Sequence, residues 1–280
     1  MKLRLLVCFF SLIVAPVLTA HPTPVQGEGE VLAIRAGRMI DGTGAPAVEN
    51  IVVVIRGDTI DAVGPESDVR IPADARVIDL GEQTLLPGLI DAHAHVSVRV
   101  DSTGIEGELS GMAQPSTQQM ARVPRNLRLQ LLSGVTSAYV VGETENIDVY
   151  TKQAVERGLF PGPRIYPGGL WISTTAGLGP PESLVFDGRC DFRRIIRQQV
   201  ENGAHHVKLM VTNAIRIGPN SGHDFRSDTS NFTREEIETA VDEAHRLGVE
   251  VTAHASGPPR GWRSKRVSTP SSTPVAWMTH

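Results

Sequence analysis

The sequence predicts an α/β chain in which a small β-sandwich is followed by the first part of a (β/α)8 barrel of the TIM type. Three features carry that expectation. Residues 31–86 are short β-prone runs divided by turn residues, the pattern changes at Pro87-Gly88 to regular strand–helix alternation, and polar residues gather at the C-terminal ends of the alternating strands.

In the first segment, VLAIRAGRMI, NIVVVIRGDTIDAVG and ARVIDLGEQTLL read as strands, and Asp41-Gly42 and Gly57-Asp58 sit where hairpin reversals are due. Strands this short need a second layer, hence a sandwich over 31–86. The barrel segment spans 87–257. GLIDAHAHV opens it as a strand, 119–133 reads as a helix, 135–141 as a strand, 146–157 as a helix and 164–167 as a short strand. A helix over 191–202, the strand HHVKLMV at 205–211, a helix over 233–247 and the strand VEVTAHA at 249–255 follow. Thr233 and Glu236 form a capping box, Ile237, Val241 and Ala244 share one face, and Gly248 closes that helix. Five strands enter a barrel of eight, and a doubly wound open sheet is the structural alternative.

The start of the chain has the form of a secretory signal over residues 1–20. Lys2 and Arg4 precede an apolar run to Val14, Pro16 interrupts its end, and Leu18-Thr19-Ala20 offers a small residue for cleavage. The run is shorter than the roughly 20 residues of a spanning helix. A periplasmic or secreted chain without a membrane span after cleavage is expected. A net charge of −4 with no basic block in the body argues against nucleic acid as a partner. Of the two cysteines, Cys8 leaves with the signal, so Cys190 has no disulfide partner and stability must come from a packed core.

Four residues in the barrel segment point to metal chemistry. His93 and His95, with Asp91 two residues earlier, share one strand face by period two, and paired imidazoles can clamp a zinc-like ion. Alone, His-x-His reads more readily as a surface or hydrogen-bonded pair. Lys208 lies between apolar neighbours in HHVKLMV, where an ammonium aimed inward is costly unless neutralised, paired or extended to the rim. N-carboxylation would turn it into a bridging carboxylate. His254 ends VEVTAHA, where a satisfied core histidine is the plainer reading. All four fall near strand C-termini, where active sites of this architecture lie.

LLPGLIDAHAHV resembles the opening barrel strand of the amidohydrolase superfamily, and HHVKLMV with FTREEIETAVDEAHRLGVEVTAHA resembles its imidazolonepropionase-like and prolidase-like branch. The resemblance covers residues 31–257. It implies a metallo-hydrolase barrel holding two divalent ions, zinc above all. His93 and His95 match the first metal's pair, Lys208 the N-carboxylated bridging lysine, and His254 a ligand of the second metal. It also implies a hydroxide between the metals that hydrolyses a non-ester C–N bond, in a small-molecule substrate such as a dipeptide or cyclic amide. A homo-oligomer is an open expectation.

The pattern next asks for a sixth-strand histidine in a Ser-Ile-Glu-His context and an eighth-strand aspartate that moves the proton. Neither occurs, and the expectation is a truncation after the fifth strand with unpaired barrel edges and an inactive product. Residues 258–280 read as an aberrant, frameshifted tail with no strand around His280; codons permitted for 261–280, read two bases on, allow Ser-Ile-Glu-His. Segments 97–118 and 212–232 should form a pocket rim, with Arg99, Asp101, Glu106, Arg216, His223, Asp224 and Arg226 as candidates for a substrate's charged ends. Tyr139 and Tyr150 read as packing residues. A nonhydrolytic binding module and a periplasmic solute-binding protein are the other classes, and the β-rich segment 31–86 speaks against the second.

Overall fold

The computed structural model describes residues 30–98, 114–175, 177, 184–212 and 230–255, and the backbone of 276–278. The chain divides into two compact units, one formed by residues up to Ile40 with Gly44–Leu85, the other by Asp41–Thr43 with the chain from Leu86 onward.

The first unit is a five-stranded sheet. Its centre, β1 (Val31–Met39), runs antiparallel to β2 (Val48–Arg56) and parallel to β4 (Arg76–Asp79) and β5 (Thr84–Leu85), while β2 pairs with β3 (Thr59–Pro65). The β2–β3 reversal falls at Gly57-Asp58, where Gly57 takes a φ of 63°, a left-handed conformation open to glycine at little cost. Val31, Val52 and Val54 pack with Ala62, Val69, Ile71 and Ala75. The described strands of this unit form a single sheet, and the second layer that a sandwich requires is not among the described residues.

The second unit alternates parallel strands with helices. One sheet holds β6 (Leu89–Ala94), β7 (Val135–Val140) and β8 (Arg164–Pro167) in that order. The other runs β10 (Leu184–Val185), β9 (Trp171–Ser173), β11 (His206–Met210), β12 (Glu250–His254) and β13 (Ala276–Met278). Helices α1 (Ser116–Leu132), α2 (Ile147–Glu156), α3 (Arg189–Glu201) and α4 (Arg234–Arg246) occupy the intervals. The capping box forms as read: Thr233 Oγ1 accepts from Glu236 N at 3.2 Å and Glu236 Oε2 accepts from Thr233 N at 2.8 Å.

Alternation along each strand separates two faces. Val207, Leu209, Val211, Val251, Ala253 and Ile172 bury one face against Phe192, Ile195 and Ile196 of α3 and Ile237, Ala240, Val241 and Ala244 of α4. Ala94, Val96, Ala138, Val140 and Ile165 do the same against Val123 and Leu127 of α1 and Ile147 of α2. The opposite face carries the polar and aromatic residues from which a site is built.

Three local features depart from the sequence reading. A register shift in β6 sets the step from Asp91 to Ala94 against the step from Ala138 to Val140, one residue more on β6 than on its partner. This bulge turns Asp91 away from the face of His93 and His95. Its carboxylate accepts from His93 N at 3.1 Å and, weakly, from Gln130 Nε2 of α1 at 3.5 Å. The strand read at 164–167 stops at Gly168-Gly169 and resumes as β9, so β8 pairs with β7 and β9 with β11. Gly168 is confined here, because a Cβ would stand 2.7 Å from Val140 O and 2.9 Å from His206 Nε2. Finally, the tail contains a strand: Ala276, Trp277 and Met278 pair in parallel with Thr252, Ala253 and His254. The outer edge of β12 is thus paired within the chain, where the sequence reading left it open. Residues 1–29, 99–113, 213–229 and 256–275 lie outside the described residues, and with them the signal, most of the tail and every named rim candidate.

Candidate metal centre

Parallel pairing puts residues in register on the same face. Lys208 lies beside Trp171 of β9 and Thr252 of β12, and Met210 lies beside His254. Lys208 and His254 therefore belong to one face of neighbouring strands, two residues apart along the strand direction. Lys208 is 2% exposed, and its Nζ has no hydrogen-bond partner among the described residues. Burial alone lowers its pKa from 10.5 to about 8.

From the other sheet come His93 and His95, whose rings meet edge to face with centroids 5.6 Å apart. His95 Nδ1 lies 3.0 Å from Gly142 O. As the carbonyl can only accept, Nδ1 carries the proton, and a bond from this ring to an ion would come from Nε2. His95 also approaches Trp171, with centroids 5.9 Å apart, and Trp171 Nε1 donates to Val141 O at 3.0 Å. Trp171, in register beside Lys208 on the neighbouring strand, thus stands between that strand pair and His95. Gly142 has a φ of 101°, and a Cβ there would stand 2.5 Å from Trp171 Nε1. Only glycine lets the indole and the Gly142 carbonyl take up these positions.

Among the described residues no three His, Cys, Asp or Glu side chains are grouped to hold a metal ion. The fourth donor of the set named from the sequence is a lysine, which as an amine cation cannot be a ligand. The fit therefore turns on Lys208. A buried amine with no partner and a pKa near 8 has a substantial uncharged fraction at mildly alkaline pH, the form that reacts with CO2. The donor types suit divalent ions only once Lys208 supplies oxygen in place of an ammonium, and the described structure does not gather the three histidines into a ligand group.

Beneath Lys208, His206 stacks on Tyr139 with ring centroids 3.9 Å apart, and Tyr139 Oη donates to Glu250 Oε2 at 3.3 Å. Burial, with His205 and Lys208 nearby, lowers the His206 pKa to about 3, so this imidazole is neutral. Burial and Glu250 push the Tyr139 phenol up. Tyr139 packs as the sequence reading has it, while Tyr150 is exposed.

Two buried carboxyls were missed from the sequence. Glu143 follows β7, receives Ser97 N at 3.2 Å and contacts Ser97 Oγ; burial raises its pKa to about 7. Asp148 accepts from Gly168 N, Gly169 N and Val149 N at 2.8–2.9 Å, and burial together with Glu143 raises its pKa to about 8. Neither stands in a motif of metal-ligand spacing, and the Gly168-Gly169 pair that Asp148 holds is the one trace of it in the sequence.

Ochratoxinase of Aspergillus niger is 27% identical over 260 residues, covering 82% of this chain and 51% of that protein. Its crystal structure superposes with a TM-score of 0.66 at 26% identity, over 82% of this chain and 57% of that one. A prolidase complexed with N-methylphosphonate-L-proline matches at 29% identity and a TM-score of 0.66, over 80% of this chain and 56% of that one. A Xaa-Pro dipeptidase with methionine in its active site matches at 25% identity and a TM-score of 0.67, over 81% and 57%. The chain spans about half the length of ochratoxinase. The sequence profile of the amidohydrolase family runs over residues 84–266, through every strand from β6 to β12 and both histidines of the DAHAH segment, and the chain belongs to that family.

Proposed function

We propose that this chain carries the metal-binding part of a hydrolase that cleaves a non-ester C–N bond, amide or peptide-like, in a small molecule such as a dipeptide. The observation that carries the reading is Lys208: a fully buried amine, without a hydrogen-bond partner, on the same face as His254. On this reading β6 to β12 belong to the opening part of a (β/α)8 barrel over 87–257, and the sheet of 31–86 is one layer of a small accessory subdomain.

His93 and His95 would hold one divalent ion, His254 a second, and Lys208 would bridge them after its Nζ takes up CO2 and releases a proton to form a carbamate. Zinc suits the nitrogen donors. When bound, such ions lower the pKa of coordinated water and polarise a substrate carbonyl. The protein's own contribution is to fix the donors. Gly142 O holds the His95 ring, Trp171 closes the space beside it, and the neutral His206 places no second charge under Lys208. The dipeptidase and prolidase relatives support a dipeptide substrate, and the basic-then-apolar start of the chain supports a periplasmic or secreted location.

The test is zinc binding by this chain, and release of amine from Xaa-Pro dipeptides and cyclic amides by a protein in which the chain is completed to the length of its relatives, reconstituted with zinc or manganese and bicarbonate. Zinc binding by this chain, and hydrolysis by the completed protein that needs the metal and is abolished in its Lys208→Ala and His254→Ala variants, are the expected results. Hydrolysis unchanged in both variants, or a completed protein that binds zinc and turns over no C–N substrate, would overturn the proposal.

A further inference from the structure

The three residues that follow the histidine pair hang from side chains rather than from a sheet partner. Asn126 Nδ2 donates to Val96 O at 2.9 Å and to Val98 O at 2.8 Å, and Arg122 Nε donates to Ser97 O at 3.1 Å. Glu143 holds the other side of Ser97, through its backbone N–H and its hydroxyl. One dipeptide therefore grips this segment twice: Gly142 O at the His95 ring, and the Glu143 carboxyl at Ser97. The dipeptide is itself anchored, since Glu143 N donates to Gly169 O at 2.9 Å.

Hydrogen-bond accounting identifies the form of the Glu143 carboxyl. Ser97 Oγ lies between Glu143 Oε2 and Gln119 Oε1, the latter at 3.3 Å. Gln119 Nε2 donates to Gln114 O at 2.7 Å, which fixes the amide so that its oxygen faces Ser97. A serine hydroxyl has one proton and cannot serve two oxygens that only accept. Both contacts are hydrogen bonds if Glu143 carries a proton on Oε2 and donates it to Ser97 Oγ, leaving the serine proton for Gln119. Asp148, the neighbouring buried carboxyl with three backbone N–H donors, is also pushed up, to about 8 by burial and by Glu143, so the two carboxyls disfavour charge on one another.

We infer that Glu143 is a positioning residue for the His93–His95 pair and acts as a neutral carboxylic acid, its Oε1 accepting from Ser97 N and its Oε2–H donating to Ser97 Oγ. The inference rests on the proposed metal-binding role of those histidines. Burial of Glu143 at 1% exposure, with its pKa raised to about 7, agrees with the protonated form. A glutamine reproduces every one of these bonds, its Oε1 accepting and its Nε2–H donating. An alanine reproduces none.

The experiment compares the wild-type chain with Glu143→Gln, Glu143→Ala and Ser97→Ala. In metal-free protein, infrared spectra should show a protonated-carboxyl band that Glu143→Gln removes, and nitrogen NMR of labelled histidine should show His95 Nδ1 protonated in wild type and Glu143→Gln but not in Glu143→Ala. Zinc titrated against a chromogenic chelator should bind wild type and Glu143→Gln alike and the alanine variants roughly 10–100-fold more weakly. A missing carboxyl band, or Glu143→Gln as impaired as Glu143→Ala, overturns the neutral-acid assignment. Unchanged histidine resonances in a folded Glu143→Ala, or equal zinc affinity in all four proteins, overturns the positioning role. If wild type binds no zinc, the metal reading itself fails, while the infrared and NMR arms still decide the inference. Should Glu143→Ala not fold, Ser97→Ala, which keeps the Ser97 N–H bond and loses only the hydroxyl, supplies the comparison.

Discussion

Replacing Lys208 with methionine should stabilise the metal-free chain. The side chain is 2% exposed and its Nζ lacks a partner, so the folded state is penalised for keeping an ammonium there. A pKa that falls from 10.5 to about 8 on folding corresponds to about 3 kcal/mol of destabilisation wherever the folded chain is charged. Below pH 8 both states are protonated and the full penalty stands. Between 8 and 10.5 the unfolded chain holds the proton and the folded chain does not, so wild-type stability rises with pH; above 10.5 the penalty is gone. Methionine is close in length and carries no charge, so Lys208→Met should gain up to about 3 kcal/mol at pH 7, with the advantage shrinking toward pH 10. Urea denaturation of both proteins in CO2-free, chelator-treated buffer at several pH values measures this. A variant less stable than wild type at pH 7, or an advantage that does not shrink as pH rises, would refute the argument that Lys208 is a buried amine held without a counter-charge.

Three other perturbations follow from the same structure. Gly142→Ala forces a side chain to a φ of 101° and toward Trp171, so a loss of about 2 kcal/mol is expected, with a change in tryptophan fluorescence as the indole leaves Val141 O. Thr233→Ala removes the capping box of α4 and should cost about 1 kcal/mol by urea denaturation. Glu243 is held at about 2 by its hydrogen bonds from Arg246, within α4, and from Arg197, which ties α3 to α4. Its contribution is present above its ordinary 4.5 and lost as pH falls through 2, so Glu243→Gln should lower the melting temperature at pH 6 and make little difference near pH 2.

The strand–helix order of the second unit was legible because each element carries a strong local signal. Ile237, Val241 and Ala244 stripe one helix, a capping box starts it and Gly248 ends it, and Val207, Leu209 and Lys208 divide a strand into two faces. What escaped depends on partners remote in sequence. The β6 bulge that turns Asp91 away is a matter of pairing with β7, and period two within one strand cannot reveal it. The break at Gly168-Gly169 is stabilised by Asp148 and Gln199, 20 and 29 residues away. Strand β13 pairs with β12 from within a tail whose composition has no strand signal. At the site, His93, His95, Lys208 and His254 could be picked out because strand termini of this architecture gather functional groups. Glu143 could not, because its role is to hold backbone and hydroxyl groups of Ser97, and such bonds leave no spacing in the sequence.

The central claim is that these four residues together hold divalent ions. It is tested most directly by zinc content, measured by mass spectrometry after dialysis against zinc and bicarbonate and passage over a desalting column. The account predicts zinc retained by wild type and lost in part or whole from His93→Ala, His95→Ala, Lys208→Ala and His254→Ala, each checked for folding by circular dichroism. Zinc absent from folded wild type, or retained undiminished in all four variants, would contradict it.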